Sequence, residues 1–127
     1  MAAQPERERA RQGRSHDRFA FFFSYTSDTW AQMINTPGDR TAAVRQMLDS
    51  LGGSLESIYW MFGTHDGIVI ADLPGSVSAA ALSVAVTGTG AFKQVQTHEL
   101  ITQEQLGQML QMAQNAAPAY QRPGQQP

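Results

Sequence analysis

The chain has 127 residues, of which 42% are hydrophobic and 16% are charged, and it contains no cysteine. This length suits one domain with an ordinary core, and the lack of cysteine excludes a disulfide framework and a thiolate metal site. The net charge of −2 lacks the basic excess of a typical nucleic-acid-binding protein, so we expect no nucleic-acid partner. No apolar run reaches the ~20 residues of a membrane span, and the charged N-terminus has no apolar signal segment. We therefore expect a cytoplasmic protein without membrane contact.

The two ends of the chain differ in composition from its middle. Residues 1–17 interleave arginines with acidic residues and hold almost nothing apolar, while residues 118–127 are rich in Pro, Gln and Gly. Such segments cannot bury enough apolar surface to offset the chain entropy lost on folding. We predict a disordered N-terminal tail over residues 1–17, one α+β domain over residues 18–117, and a disordered C-terminal tail over residues 118–127.

The first half of the domain shows a strand signal followed by helical spacing. The aromatic run over residues 19–25 predicts a first strand, and a short helical pattern follows until Pro37 and Gly38 interrupt it. Thr36 then has the chemistry of an N-cap for the next helix, with Pro37 at its first position. Gly52 and Gly53 end this helix. Its apolar stripe consists of Val44, Met47, Leu48 and Leu51.

The second half begins with two short strands that are close in sequence. Residues 55–62 and 68–73 predict strands joined by a turn over residues 63–67, and residues 77–86 predict an Ala-rich helix with Ser76 as its N-cap. Residues 92–101 alternate and predict a fourth strand. Thr102 and Gln105 form a capping-box pattern at the start of a final helix.

The order of these elements is β-α-β-β-α-β-α. Right-handed crossovers then lead to a ferredoxin-like sandwich with an antiparallel four-stranded sheet of order 4-1-3-2, plus a C-terminal helix. A doubly wound parallel sheet is excluded because the connection between strands two and three is too short for a crossover.

The hairpin carries a family resemblance. Residues 51–55 (LGGSL) and 59–66 (YWMFGTHD) resemble the GYD-domain family, which is named after a Gly-x-Tyr-Asp turn. Gly63 and Asp66 match this turn, whereas His65 stands where the family has tyrosine. The resemblance covers residues 19–117 and implies a small bacterial or archaeal protein with a ferredoxin-like or dimeric α/β-barrel fold. It implies no established reaction, cofactor or catalytic residue, and the tyrosine-to-histidine change means that no role of that tyrosine carries over.

A candidate ligand site lies where strand one ends and strands three and four begin. A helix N-terminus beside glycine turns holds anions well, and His65 next to Asp66 has the chemistry of an acid–base pair. The alternative interpretation is a plain hairpin turn, in which Asp66 supports the turn and Gly67 supplies positive φ. The candidate ligand-binding residues are Tyr25, Trp30, Trp60, His65, Asp66 and Lys93.

No metal or cofactor is expected. His65 and His98 are predicted at opposite ends of the sheet, whereas zinc needs three or four converging ligands. The methionines at helix-stripe and strand positions are typical of core filling rather than copper binding.

The strands are apolar on both faces, which predicts a homo-oligomer. Phe22 opposes the other phenylalanines of strand one, and in strand two Leu55, Tyr59 and Met61 alternate with Ile58, Trp60 and Phe62. A half-solvated antiparallel sheet would show polar residues on its wet face. We expect two open faces to meet, with Trp60 or Phe22 near the contact. The competing explanation is that the final helix covers this face within one subunit.

Two functions are consistent with this pattern. The first is a non-catalytic homo-oligomer that binds a small molecule or regulates a partner. The second is a cofactor-free enzyme of the dimeric α/β-barrel kind, such as a small oxygenase or isomerase. The sequence favours the first because it offers one acid–base pair, and that pair lies at a turn.

Overall fold

The computed structural model describes residues 16–125, and within them it contains four strands and four α-helices. The strands follow the predicted order, but two helices rather than one separate the first two strands, because the short helical pattern before Pro37 forms a helix of its own. The strands are β1 (Asp17–Tyr25), β2 (Ser54–Trp60), β3 (Gly67–Leu73) and β4 (Phe92–Leu100). The helices are α1 (Ser27–Asn35), α2 (Arg40–Ser50), α3 (Ser76–Thr87) and α4 (Gln103–Ala116), followed by a single 3-10 turn at Ala117–Ala119.

The strands form one antiparallel sheet of order β2-β3-β1-β4. This is the predicted order 4-1-3-2 counted from the other edge, so the ferredoxin-like α+β fold is confirmed. Phe23 of β1 pairs with Gly67 at the start of β3 and with Val95 near the start of β4. The end of β1 therefore meets the beginnings of both neighbouring strands, as expected.

The hydrophobic core lies between one face of the sheet and the helices. Phe19, Phe21, Phe23 and Tyr25 point from β1 into this layer, and Leu48 of α2 is fully buried against them. Val44, Met47 and Leu51 are partly buried and pack on the same cluster, so the predicted stripe of α2 is confirmed. An 11-residue helix is only marginally stable by itself, so burial of this stripe supplies most of the stability of α2.

The helix caps were predicted with mixed success. Asp39, not Thr36, caps α2, because its extended backbone ends the loop and its carboxylate accepts the Ala42 N–H at 3.0 Å. Gly75, not Ser76, precedes α3. At α4 the capping box is confirmed, since the Thr102 N–H donates to Gln105 Oε1 at 2.8 Å and the Gln105 N–H donates to Thr102 Oγ1 at 3.1 Å.

A β-bulge in β2 changes which side chains share a face. The register shifts between Leu55 and Ser57, so Leu55 lies opposite Ala71 and Ile58 lies opposite Val69, both on the helix-covered face. The predicted alternation, with Leu55 opposing Ile58, is wrong because the extra residue reverses the side-chain parity.

The bulge leaves Trp60 on the helix-covered side. Trp60 pairs with Gly67, and its indole reaches the hydroxyl of Tyr25, a residue of the core. The expectation that Trp60 lies near a contact between open sheet faces is therefore wrong. Tyr59, its neighbour on β2, points to the open face instead.

The second sheet face, which we call the open face, is apolar at its centre. Its central side chains are Ala20, Phe22, Ile68 and Ile70. Every residue of α4 is exposed except Leu106, which is half-buried, so α4 does not form a lid over this face. Within residues 16–125, the competing explanation, in which α4 covers this face, is therefore wrong.

The structure describes only part of each predicted tail. Residues 1–15 and 126–127 are not described, while residues 118–125 are all exposed. The division into tails and one domain stays a prediction. In the part of the chain described, no helix has the length and apolar character needed to cross a membrane.

Candidate functional site

Tyr25 is the centre of a cluster at the end of β1. Its ring is buried, and Trp30 of α1 packs edge-on against it with 5.2 Å between ring centroids. Its hydroxyl accepts a hydrogen bond from Trp60 Nε1 at 3.2 Å, and its backbone N–H donates to Asp66 Oδ2 at 2.9 Å. Helix α1, strand β2 and the turn between β2 and β3 are thus all joined to this one residue of β1.

Asp66 links the hairpin to β1 and α1 through hydrogen bonds. The hairpin fixes its backbone, because its N–H donates to the Phe23 carbonyl at 2.8 Å and its own carbonyl accepts the Met61 N–H at 2.9 Å. Its Oδ2 accepts the Tyr25 N–H and also the Trp30 indole N–H at 3.2 Å. One oxygen of the carboxylate therefore accepts two donors, which tie the hairpin to β1 and α1. The carboxylate makes no hydrogen bond to His65 among the described residues, because the His65 ring packs on Phe22 at the other face of the sheet.

His65 lies against the open face rather than in the Tyr25 cluster. Its ring packs on Phe22 with 5.1 Å between centroids, and its Nδ1 is buried without a hydrogen-bond partner among the described residues. His98 packs edge-on against the same Phe22 ring at 5.7 Å. The expectation that His65 and His98 lie at opposite ends of the sheet is wrong, because His98 pairs with Ala20, close to Phe22 on the same face.

The described residues contain no group of three or more His, Asp or Glu side chains placed to hold a metal ion. The two histidines beside Phe22 are thus a pair without a third ligand of this kind in residues 16–125. Lys93 is exposed on β4 and makes no hydrogen bond or ion pair within the same range. Of the candidate residues, the fold brings together Tyr25, Trp30, Trp60 and Asp66, and it separates His65 and Lys93 from them.

Two glycines of the hairpin have different roles from those predicted. Gly63 has the positive φ, at 133°, that the turn requires, whereas Gly67 does not. Gly67 lies in β3, where an added Cβ atom would clash with the ring of Phe23. Close packing of the Phe23 ring on the backbone therefore excludes a side chain at residue 67.

Sequence reasoning missed an apolar, partly open cavity between the sheet and helices α2 and α3. The cavity has a volume of about 410 Å³, and Phe21, Phe23 and Tyr25 form its floor. Val44 and Met47 line it from α2. The remaining apolar walls come from Ile58, Val69, Leu82, Val86, Phe92 and Val95.

Short side chains explain why the cavity is not filled. Ala43, Ala85 and Ala91 lie at its walls, where longer side chains would occupy the space between the layers. Alanines at sheet-facing positions of both helices are the signal that sequence reasoning could have used.

A more polar groove of about 560 Å³ lies next to the apolar cavity. The two spaces share the wall residues Tyr25, Arg40, Ala91 and Phe92. The groove extends along α1 and the loop after it, where its polar lining residues are Thr29, Gln32, Asn35 and Thr36. Arg40 is the only charged residue among those that line either space.

The Tyr25 cluster, which contains four of the predicted ligand-binding residues, lies at the wall of this cavity. Tyr25 is part of both walls, and Trp30, Trp60 and Asp66 hold it in place. Four of the predicted residues therefore lie in or directly behind the wall of the cavity. His65, the predicted acid–base residue, does not line it.

Comparison with known proteins places the chain in a family. No match was found among curated proteins. The family model of the GYD domain matches residues 19–110, which run from β1 into α4. The resemblance carried by the turn at Gly63 and Asp66 is thus confirmed over most of the chain, and the protein belongs to the GYD-domain family.

Proposed function

We propose that this protein is a non-catalytic small-molecule-binding protein that acts as a homodimer, with its ligand in the cavity between the sheet and helices α2 and α3. The observation that carries the proposal is the cavity itself. Its volume of about 410 Å³ lies within the ~300–1,000 Å³ that is usual for ligand pockets. Its aromatic and aliphatic lining with few polar groups is also typical of such pockets.

The lining favours binding over catalysis. General acid–base chemistry needs a proton donor or acceptor within hydrogen-bond reach of the reacting atoms. The residues that line the cavity include no His, Asp, Glu or Lys. The Tyr25 hydroxyl is already engaged by the Trp60 indole, and Asp66 lies behind Tyr25 with its Oδ2 accepting two N–H groups. The described residues of this wall offer no carboxylate, imidazole or amine as the general base that a cofactor-free oxygenase or isomerase would use, and their hydroxyl groups are those of Tyr25 and Thr89.

The dimer is supported by two apolar surfaces that no helix covers within the described residues. The open face centres on Phe22, and Tyr59 at its side is 66% exposed. On α4, Leu110 is 57% and Met112 is 71% exposed. Soluble monomers rarely expose contiguous apolar patches beyond ~300–600 Å². A second copy related by a two-fold axis would cover the open face and give α4 a surface to pack against.

The binding proposal is tested with N-phenyl-1-naphthylamine, an uncharged fluorophore that brightens in apolar sites. Val86 and Val84 lie two residues apart on α3, but Val86 lines the cavity and Val84 is 72% exposed. We expect the Val86→Trp variant to lose most of the fluorescence gain, because the indole fills the space. Val84→Trp is the matched control and should bind like the unmodified chain. Equal binding by both variants, or none by the unmodified chain, would count against the cavity.

The dimer is tested by light scattering at micromolar concentration. A mass near the 13.9 kDa of one chain would refute it. Phe22→Glu should convert the dimer to monomer or aggregate, because it places a charge at the centre of the open face. Gln46→Glu adds the same charge on the exposed side of α2 and should leave the dimer intact.

A further inference from the structure

We infer that the ligand is an amphipathic anion, with an apolar body in the cavity and a carboxylate or similar charged end held by Arg40. This inference rests on the proposed function and names the class of its ligand. Three observations support it: the charge at the cavity wall, the position of that charge, and the change in polarity from the cavity to the adjoining groove.

The charge at the wall has one sign. Arg40 is the only charged residue among those lining the apolar cavity or the adjoining groove. The two ion pairs in residues 16–125 both involve Arg18 rather than Arg40. Asp39, the neighbouring acid, directs its carboxylate to the Ala42 N–H at 3.0 Å as the cap of α2. The guanidinium of Arg40 thus has no protein anion paired with it in the described part of the chain.

The position of Arg40 matches the change from apolar to polar lining. It belongs to both spaces, together with Tyr25 and Phe92, so it stands at the junction between them. On one side the walls are aliphatic and aromatic, and on the other they present the side chains of Gln32 and Asn35. A ligand with its chain in the cavity places its end group at this junction, where the guanidinium fork suits a carboxylate.

The alternative ligand classes fit less well. A neutral apolar molecule would leave Arg40 without a role at the wall, and a cation would meet a like charge with no acidic side chain lining either space. Arg40 is itself exposed, so water screens its charge. We therefore expect the charge to improve affinity by about two- to fivefold, as exposed ion pairs do, rather than by orders of magnitude.

The experiment compares three probes that share a ten-carbon chain: decanoate, decan-1-ol and decylamine. Binding to the full chain is measured by calorimetry. Tryptophan fluorescence is a second readout, because Trp30 and Trp60, the only tryptophans in the chain, both contact the Tyr25 wall. The test variant is Arg40→Gln. Arg45→Gln is the matched control, since Arg45 lies exposed on the same helix and does not line the cavity.

We expect decanoate to bind about two- to fivefold more tightly than decan-1-ol, and decylamine to bind most weakly. Arg40→Gln should remove the preference for decanoate while leaving decan-1-ol binding unchanged, and Arg45→Gln should change neither. If decanoate and decan-1-ol bind equally to both the unmodified chain and Arg40→Gln, the anion inference fails while the proposed function stands. If none of the three probes binds, the proposed function fails as well. If decanoate binding weakens as protein concentration rises, a second copy of the chain occupies the cavity and the inference is overturned.

Discussion

Leu48→Ala is the substitution whose cost can be worked most directly from the fold. Leu48 is 0% exposed and belongs to the core cluster beneath α2, but it does not line the ligand cavity. The substitution removes three carbon groups, at about 0.8 kcal/mol each, so the transfer loss alone is about 2.4 kcal/mol. The void left behind adds to this, which brings the expected cost to about 3–4 kcal/mol within the range observed for buried leucines.

The assay is urea unfolding followed by far-UV circular dichroism at a fixed protein concentration, because dimerisation makes apparent stability depend on concentration. Leu48→Met keeps the volume and should cost less than about 1.5 kcal/mol. Val77→Ala is the exposed control on α3, since Val77 is 83% exposed, and should change the free energy of unfolding by less than about 0.5 kcal/mol. A cost for Leu48→Ala no larger than that of Val77→Ala would refute the placement of this α2 face in the core.

Two further substitutions test the wall of the cavity, each by urea unfolding. Asp66→Ala leaves the Tyr25 N–H without its acceptor and should cost about 1–3 kcal/mol, whereas Asp66→Asn retains an acceptor oxygen and should cost less. Gly67→Ala puts a methyl group against the buried Phe23 ring and should cost about 1–3 kcal/mol through overpacking. Gly38→Ala meets no atom within 4 Å and serves as its control, with an expected change within about 0.5 kcal/mol. Equal free energies of unfolding for Gly67→Ala and Gly38→Ala would contradict the close packing at Gly67.

The parts of the fold that could be predicted depend on local patterns. The stripe through Leu48, the capping box at Thr102 and the short connection between β2 and β3 each specify their element from nearby residues. The start of α2 was harder, because Thr36 and Asp39 both have cap chemistry, and only the loop conformation selects Asp39. The bulge after Leu55 has no local marker, yet it changes the face of the residues around it.

The candidate site was predicted in position more than in chemistry. The topology correctly brought Tyr25, Trp30 and Asp66 together, because strand ends and helix starts follow from the element order. The direction of the His65 side chain depends on the turn geometry, which places it on Phe22 at the other face. The cavity depends on the combined length of side chains from separate elements, such as Ala43 and Ala85. It therefore could not be predicted from the sequence pattern of any one element.

The bulge in β2 also bears on how copies of this chain can associate. β2 is an edge strand, and an edge offers unpaired N–H and C=O groups on which another strand can add. Here the bulge disrupts the regular ladder, and the nearby Glu56 carboxylate is held by Arg18 Nε at 2.9 Å. A charged, irregular edge resists strand addition. We therefore expect this edge to resist growth of the sheet from molecule to molecule, and the proposed dimer through the open face would be a finite assembly rather than a fibre.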